Sequence, residues 1–154
     1  SRPAQPDDAA TILGFITELA VYEKAGHEVE ATEEMIRHTI FGEGSVTEAA
    51  ILEHDGKPAG FAVWFYSYST WQAKNGLYLE DLYVAPDHRG AGAGRLLLRH
   101  LAQVAVDKGC GRFEWSVLDW NTPAIEFYTA AGAKPQDEWT VYRLEGEALK
   151  AFAG

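Results

Sequence analysis

The fold is decided by one continuous segment, residues 77–95, which reads Leu77-Tyr78-Leu79-Glu80-Asp81-Leu82-Tyr83-Val84-Ala85-Pro86-Asp87-His88-Arg89-Gly90-Ala91-Gly92-Ala93-Gly94-Arg95. Its first part predicts a strand, and Pro86 ends that strand because proline cannot donate to a sheet ladder. A helix is predicted from about Gly92 to Lys108, since one face carries Leu97, Leu101, Val104 and Ala105. The glycines between strand and helix permit positive φ, and a helix N-terminus offers free N–H groups to an anion. The segment therefore predicts a strand–turn–helix unit that is able to hold a phosphate, although the glycines alone also fit a turn that is merely tight.

Upstream of this unit, the pattern predicts two helices and a hairpin. Asp7 or Asp8 is expected to cap a first helix, whose apolar residues recur at helical spacing at Ile12, Phe15, Ile16 and Leu19. Thr32 is expected to cap a second, shorter helix through Ile40. Two strands, residues 49–53 and 57–66, flank the turn His54-Asp55-Gly56, which is a good hairpin signal.

The remaining segments complete a single layered domain. Residues 67–76 are expected to form a polar loop, and residues 113–118 a strand. Thr122-Pro123 predicts the start of a short helix that Gly132 closes. A last strand is predicted over residues 139–144. The order of elements predicts an α/β (α+β) domain over residues 1–154, with a single central mixed sheet flanked by helices.

Composition excludes several classes of protein. The formal net charge of −10 argues against nucleic-acid binding and is compatible with a cationic small-molecule substrate. Cys110 is the single cysteine, which excludes disulfide scaffolds and cysteine-based zinc sites and favours a reducing cytoplasm. No apolar run approaches the length needed to cross a bilayer, so no membrane partner is expected. Ser1 is an unusual first residue, so we expect the natural chain to begin earlier.

The spacing of the glycines discriminates between phosphate-binding motifs. A dinucleotide fingerprint fails because Arg95 occupies its last glycine position, and a P-loop fails because no Gly-Lys-Ser/Thr follows. The pattern Arg-x-x-Gly-x-Gly does fit, at Arg89, Gly92 and Gly94. Here the sequence resembles the GNAT acetyltransferase superfamily, in which this motif between a central strand and the next helix holds the pyrophosphate of acetyl-CoA.

The resemblance extends over nearly the whole chain. Four segments in order look like the spermidine/spermine (diamine) acetyltransferases: residues 18–23 (ELAVYE), 78–84 (YLEDLYV), 87–90 (DHRG) and 120–128 (WNTPAIEFY). The resemblance implies a GNAT-like fold, acetyl-CoA as co-substrate, a polyamine or diamine as the small amine substrate, and a homodimer. His88 departs from the pattern, since a tyrosine is usual at that position.

The resemblance also implies which residues bind acetyl-CoA. Backbone groups of Leu82, Tyr83 and Val84 are expected to bind the pantetheine arm. The pyrophosphate is expected to lie against Arg89, Gly90, Ala91, Gly92, Ala93, Gly94 and Arg95. A further part of the site is implied at Asn121, Thr122, Pro123 and Ala124. From the residues alone, Asn121 could equally be a helix cap.

Two residues are candidates for the transfer chemistry. The resemblance places Tyr128 beside the CoA sulfur, where its hydroxyl can act as general acid because a phenol is protonated at neutral pH. Glu80 is the candidate base, directly or through water, or an anchor for the substrate. Glu80 and Asp81 interrupt an apolar strand, and in a regular strand only one of them can face a given cleft. The structural alternatives are a core aromatic for Tyr128 and, for Glu80 and Asp81, a pair of carboxylates at a frayed or bulged strand end.

The substrate side rests on family positions that match Tyr22, Glu23, Glu80, Glu114, Trp115 and Ser116. Their carboxylates can meet ammonium groups, and Trp115 can add a cation–π contact. A lysine-like amino acid such as thialysine, a peptide N-terminus, and a non-catalytic acyl-CoA-binding module remain alternatives. The five histidines show no metal-binding spacing, so a metal-free mechanism is expected.

Overall fold

A computed structural model describes residues 1–90 and 92–154 of the chain. Ala91, one of the residues expected at the pyrophosphate, lies outside the described residues. The described chain forms two compact units, Ser1–Ser116 and Val117–Gly154. A single domain over residues 1–154 stays a prediction, and the two units are described separately.

The first unit is built around a mixed sheet with the strand order β1-β2-β3-β4-β5. Neighbouring strands are antiparallel, except that β5 runs parallel to β4. The strands are β1 (Arg2–Pro3), β2 (Thr47–His54), β3 (Lys57–Ser69), β4 (Lys74–Val84) and β5 (Phe113–Trp115). The predicted hairpin is confirmed, with Asp55 and Gly56 at φ of 54° and 76° in its two-residue turn. The predicted central sheet flanked by helices is therefore confirmed.

Two helices cover one face of this sheet, which we call the α1 face. They are α1 (Ala9–Tyr22) and α2 (Glu33–Phe41), and Thr32 caps α2 as predicted, since its hydroxyl accepts a hydrogen bond from the Met35 N–H at 3.1 Å. Buried Ile12 and Phe15 of α1 pack against the sheet residues Ala49, Ile51, Phe61, Val63 and Tyr83. Asp8 precedes α1 but makes no capping bond, because its carboxylate pairs with Arg2 at 2.8 Å.

The third helix, α3 (Ala93–Asp107), covers the opposite face, which we call the α3 face. Side chains alternate between the faces of a strand, so Ala50 and Ala62 point away from α1. The buried residues of α3 are Leu97, Leu98, Leu101 and Ala105. The predicted helix from about Gly92 to Lys108 is confirmed with these two residues as its caps.

A β-bulge at Glu80 interrupts the alternation along β4. Val63 lies opposite Asp81 while the next residue of β3, Trp64, lies opposite Leu79, so Glu80 has no partner on β3. The bulge changes which residues share a face. Tyr78, Asp81 and Tyr83 fall on the α1 face, whereas the α3 face receives Leu77, Leu79, Leu82 and Val84.

The pairing between β4 and β5 is short. It joins the β4 residues Leu77, Tyr78 and Leu79 to the β5 residues Phe113, Glu114 and Trp115, in that order. Within the first unit the pairing extends no further. The strand predicted over residues 113–118 is thus only three residues long. Beyond Leu79, the β5 side of β4 has no ladder partner in this unit, which leaves a length of strand edge available to a ligand.

Other predicted boundaries were also inaccurate. The loop expected over residues 67–76 is largely strand, since β3 continues to Ser69 and β4 begins at Lys74. Alternating aromatic and polar residues there pair across the hairpin, with Tyr68 opposite Asn75. The tertiary pairing outweighed the polar composition of the segment.

The second unit contains α4 (Thr122–Ala130) and α5 (Gly146–Ala153). The predicted short helix is confirmed as α4, and Gly132 follows its end with φ of 100°. The strand predicted over residues 139–144 is wrong, because these residues form no ladder in the described chain. Trp139, Val141 and Tyr142 are 70%, 84% and 92% exposed. An alternating pattern makes a strand only where a sheet edge pairs with it.

Candidate functional site

The turn before α3 has the backbone that an anion site needs. Gly90 and Gly92 have φ of 89° and 77°, a region that other residues rarely adopt. Gly92 is the N-cap of α3, and its carbonyl accepts the Leu96 N–H at 2.9 Å. The N–H groups of residues 93–95 have no carbonyl partner within the helix. The turn therefore presents backbone donors at the positive end of the α3 dipole.

Arg89 is anchored to β4 by its own side chain. Its Nε donates a 2.8 Å hydrogen bond to the Val84 carbonyl, and its guanidinium lies 5.3 Å from the centre of the Tyr83 ring. These two contacts orient the side chain at the first position of the glycine-rich turn.

His88 ties the same turn to the β2–β3 hairpin. Its Nδ1 lies 3.1 Å from Nδ1 of His54, at the hairpin tip, and the two rings meet edge to face. A hydrogen bond here needs one ring to donate and the other to accept. The histidine that departs from the family pattern thus has a structural partner in this chain.

The residues expected along the pantetheine arm lie at the end of β4. Tyr83 is buried on the α1 face, whereas Leu82 and Val84 point to the α3 face. All three follow Leu79, the last β4 residue paired with β5. They therefore belong to the length of β4 whose β5 side is open within the first unit.

Three carboxylates interact at the bulge. Glu80 is exposed, whereas Asp81 is half-buried on the α1 face. Burial, and then the charges of Glu80 and Glu23, raise the pKa of Asp81 to about 6. Burial also raises the pKa of the Glu23 carboxyl. The site thus concentrates negative charge where a cation would relieve the repulsion.

The other residues expected on the substrate side are divided between the two faces of the sheet. Tyr22 ends α1 directly before Glu23. On β5, Glu114 lies opposite Tyr78 and so shares the α1 face with Asp81, whereas Trp115 points to the α3 face. Glu114 lies 3.8 Å from Arg112, and the Ser116 hydroxyl lies 2.7 Å from that of Tyr78.

A surface groove of about 360 Å³ runs between α1 and the turn. It is lined by Thr17, Glu18, Val21, Tyr22, Tyr83, Pro86 and Arg89. It joins a residue expected at the substrate, Tyr22, to one expected at the pyrophosphate, Arg89. Another groove of about 400 Å³, beside α2, contains none of the expected site residues.

The second unit carries the candidate general acid. Tyr128 lies on α4, is half-buried, and its ring centre is 5.6 Å from that of Phe127. Asn121 is the N-cap of α4, and its side chain accepts the Ala124 N–H at 3.4 Å. The capping role that the sequence left open for Asn121 is confirmed. Thr122 and Pro123 are exposed in the first turn of the helix.

The sequence interpretation missed Asp81. It chose Glu80 as the functional carboxylate of a regular strand and kept a bulged strand end as the structural alternative, and the structure does contain a bulge at Glu80. A signal was present, since Leu77 and Leu79 are out of phase with Leu82 and Val84. A regular strand cannot put all four on one face, so the pattern itself indicates one inserted residue.

Residues 1–90 and 92–154 contain no group of three histidine, cysteine, aspartate or glutamate side chains that could hold a metal ion. In the same residues, no helix combines the length and the apolar character that a membrane span requires.

The comparison with known families decides the class of this site. Residues 12–133 match the acetyltransferase (GNAT) family. The chain belongs to this family. It is an acetyl-CoA-dependent N-acetyltransferase, and the predicted reaction class is confirmed.

Curated relatives of the chain carry more specific names. A thialysine N-epsilon-acetyltransferase of Bos taurus is 42% identical, with 99% of this chain and 96% of the relative covered. An L-ornithine N5-acetyltransferase of Arabidopsis thaliana is 31% identical, with 98% and 86% covered. A human spermidine/spermine N(1)-acetyltransferase-like protein is 32% identical over 99% of this chain and 23% of its own length. The resemblance to the spermidine/spermine acetyltransferases is thereby confirmed.

A solved structure has the same fold over its whole length. It is an integron cassette protein from the mobile metagenome of V. cholerae, 28% identical, with a TM-score of 0.84. The match covers 99% of this chain and 95% of the other. The predicted GNAT-like α/β fold is confirmed.

Replacing Asp81 by asparagine should stabilise the protein, and more so at high pH. The folded pKa of Asp81, about 6, exceeds its ordinary value of 3.8, so the folded state binds the extra proton between these two pH values. The penalty for ionisation is absent below about pH 4 and complete above about pH 7. We expect Asp81→Asn to increase the free energy of unfolding more at pH 8 than at pH 4. The difference between the two increases should be on the order of 3 kcal/mol.

Urea denaturation of both proteins at the two pH values measures this difference. Asp55→Asn, at an exposed turn carboxylate, is the control for the loss of one surface charge. If Asp81→Asn changed the free energy of unfolding equally at pH 4 and pH 8, the buried-carboxylate interpretation would be wrong.

Proposed function

We propose that the chain transfers the acetyl group of acetyl-CoA to the side-chain amine of a lysine-like amino acid of the thialysine type. The observation that carries this choice is the full-length likeness to a thialysine N-epsilon-acetyltransferase, at 42% identity. Similarity over 99% of this chain includes both the carboxylate group and the glycine-rich turn. The substrate that was the second candidate from the sequence, after a polyamine or diamine, thus becomes the first.

A polyamine or diamine is the second candidate. The likeness to a human spermidine/spermine N(1)-acetyltransferase-like protein supports it. So does the local charge, because Glu23, Glu80 and Asp81 offer three carboxylates and a polyamine offers several ammonium groups. An amino acid differs by carrying its own carboxylate, which would be repelled by the same cluster.

The residues of the turn fit the pyrophosphate of acetyl-CoA. In this proposal, the N–H groups of Gly90, Gly92, Ala93, Gly94 and Arg95 donate to its oxygens. Glycine at the first two positions leaves the donors accessible, since no side chain projects there. Arg89 and Arg95 add positive charge. Ala91 belongs to the same stretch in the sequence.

The open edge of β4 fits the pantetheine arm. The arm carries amide groups, and backbone groups of Leu82, Tyr83 and Val84 pair with them as an additional strand would. Ala124 and the residues before it, Asn121, Thr122 and Pro123, complete the acetyl-CoA contacts by family resemblance.

The chemistry begins with the amine, which must lose a proton before it attacks. A free primary amine titrates near 10.4, so at neutral pH it arrives as an ammonium ion. Glu23, Asp81 and Glu114 attract this ion, with Tyr22 and Ser116 beside it. Trp115, which was expected at the substrate, points to the other face of the sheet and is left out of this step. Glu80 accepts the proton, directly or through water, and thereby leaves the nitrogen lone pair free.

Tyr128 acts on the leaving group of the transfer, the CoA sulfur. Acetyl-CoA, when bound, supplies the acetyl group as an activated thioester. As the C–N bond forms and the C–S bond breaks, Tyr128 would give its phenolic proton to the departing sulfur. The phenolate would then recover, directly or through water, the second proton that the nitrogen releases on becoming an amide. The products are the N-acetylated amine and the CoA thiol. General acid catalysis of this kind contributes typically 10²–10⁴-fold to a rate.

The resemblance also supports a homodimer. The single cysteine favours a reducing cytoplasm, and the spacing of the histidines favours a mechanism without a metal ion. The acidic net charge of −10 disfavours a nucleic-acid partner. A catalytically silent acyl-CoA-binding module is the alternative from another class. The presence of both Tyr128 and Glu80 favours the enzyme.

An amine panel tests the proposed substrate. Thialysine, lysine, ornithine, putrescine and spermidine are compared by release of the CoA thiol, and kcat/KM is expected to be highest for thialysine. A higher value for putrescine or spermidine would favour the diamine instead. Binding of acetyl-CoA without thiol release from any amine would identify a silent acyl-CoA-binding module.

Gly92→Val should weaken acetyl-CoA binding by about tenfold or more. A β-branched residue resists the positive φ of Gly92, and distortion of the turn misdirects its N–H groups. Isothermal titration with acetyl-CoA measures the dissociation constant. Gly44→Val is the matched control, because Gly44 also has a positive φ of 80° with open space around it but lies before β2. Equal affinity of the two variants would contradict the phosphate-site interpretation.

Tyr128→Phe should lower kcat by about 10²-fold or more while acetyl-CoA affinity changes little, because only the acidic proton is removed. Steady-state kinetics and titration separate the two effects. Tyr142→Phe is the control in the same unit, since Tyr142 is 92% exposed. An unchanged kcat in Tyr128→Phe would remove Tyr128 from the acid role.

A further inference from the structure

We propose that Tyr83 is a positioning residue that holds Arg89 in place for acetyl-CoA, and that Glu18 of α1 acts on the cofactor site through Tyr83. The proposal rests on the proposed role of the turn at Arg89 in binding the pyrophosphate. It adds a side-chain role to Tyr83, whose backbone alone was expected to matter, and a role to Glu18, for which none was expected.

The ring of Tyr83 is a rigid support. Tyr83 is 6% exposed and belongs to the core of the α1 face, with its ring centre 5.9 Å from that of Phe15. On this ring lies the Arg89 guanidinium, at 5.3 Å, where a cation is attracted to the aromatic face. The second restraint on Arg89 is the 2.8 Å bond to the Val84 carbonyl, which comes from the adjacent residue of β4. Both restraints therefore depend on the position of residues 83 and 84.

The hydroxyl of Tyr83 is fixed from α1. It donates a 3.2 Å hydrogen bond to Oε1 of Glu18. Glu18 is exposed at the groove that Arg89 also lines. A contact chain thus leads from α1 through the Tyr83 ring to the first residue of the turn.

Glu18 exerts two opposite effects on an anion bound at the turn. Its charge, after burial, contributes to the raised pKa of Tyr83, whereas the charge of Arg89 opposes that rise. Both charges therefore act at the same phenol. The negative charge of Glu18 disfavours a nearby phosphate, whereas its hydrogen bond holds the support of Arg89. The two effects are separable by substitution, because glutamine removes the charge and keeps an acceptor oxygen.

The same helix serves the amine side. The chain continues from Glu18 to Tyr22 and Glu23, and Glu23 interacts with Asp81 at the bulge. Tyr83 lies two residues beyond Asp81 on the same face of the sheet. The contact chain therefore lies between the carboxylates that attract the amine and the turn that holds the cofactor.

The test compares Glu18→Gln with Glu18→Ala. We expect Glu18→Ala to raise the KM and the dissociation constant for acetyl-CoA about three- to tenfold, the range that one lost hydrogen bond produces. Glu18→Gln should keep acetyl-CoA affinity equal to that of the unmodified protein or improve it. In both variants kcat at saturating acetyl-CoA should change less than about twofold, because positioning affects binding and not the transfer.

The matched control is Glu48, which accepts hydrogen bonds at 2.9 Å from Trp64 and Tyr66. These side chains lie on the α3 face, away from Arg89. Glu48→Ala should leave the KM for acetyl-CoA unchanged. Tyr83→Leu, which removes the ring itself, should weaken acetyl-CoA binding more than Glu18→Ala does. If Tyr83→Leu does not fold, the comparison of Glu18→Gln with Glu18→Ala still tests the inference, because the Glu18 side chain is exposed.

The outcomes separate this inference from the proposed function. Equal changes in acetyl-CoA affinity for Glu18→Gln and Glu18→Ala would show an effect of charge alone and would overturn the inference. The inference would also be overturned if Glu48→Ala raised the KM for acetyl-CoA as much as Glu18→Ala does. If the unmodified protein binds no acetyl-CoA, the proposed role of the turn fails before any variant is compared.

Discussion

The site depends on one inserted residue in β4. The bulge at Glu80 shifts the register of β4 against β3 by one residue, so that Leu77 and Leu79 share the α3 face with Leu82 and Val84. Without it, burial of Leu77 and Leu79 beneath α3 would put Asp81 and Tyr83 on that face as well, because alternation is strict in a regular strand. The bulge instead moves both to the α1 face. The bulge therefore lets β4 place its four apolar residues on the α3 face while Asp81 and Tyr83 lie on the α1 face.

The same irregularity lies where the pairing of β4 with β5 ends among the described residues of the first unit. Pairing of β4 with β5 ends at Leu79, directly before the bulge. A bulged strand bends and twists more strongly, and its ladder is disrupted locally. An unpaired edge normally invites aggregation unless something covers it. A cofactor that carries amide groups meets this requirement, so the function that we propose for residues 82–84 also answers a structural need.

Elements that depend on local signals were predicted well, whereas those that depend on distant partners were not. Helix α3 was predicted to within one residue, because its glycine caps and its apolar spacing are both local. The turn at Asp55 was predicted for the same reason. The strand expected over residues 139–144 has the right alternation but no ladder in the described chain. At the bulge, reliance on alternation selected Glu80 and missed Asp81, whose pKa is raised by burial, then by the charge of the adjacent Glu80 and by that of Glu23, more than fifty residues away. Burial and long-range charge are properties of the fold.

In the proposed function, the protein attracts a cation and binds a polyanion although its own net charge is −10. The proposed amine site attracts the cation because the carboxylates of Glu23, Glu80 and Asp81 act together on an ammonium ion that comes near them. The proposed anion site relies on short-range hydrogen-bond donors, because the N–H groups at Gly92 and beyond act only within hydrogen-bond distance. Salt screens the electrostatic field beyond roughly 8–10 Å. Carboxylates farther away than this therefore weaken the binding of a phosphate only slightly. The charge of Glu18 lies close to the turn, since Glu18 accepts a hydrogen bond from Tyr83, on whose ring the Arg89 guanidinium lies. In our interpretation its hydrogen bond to Tyr83 outweighs that repulsion, which is why an acidic residue is tolerated beside the anion site.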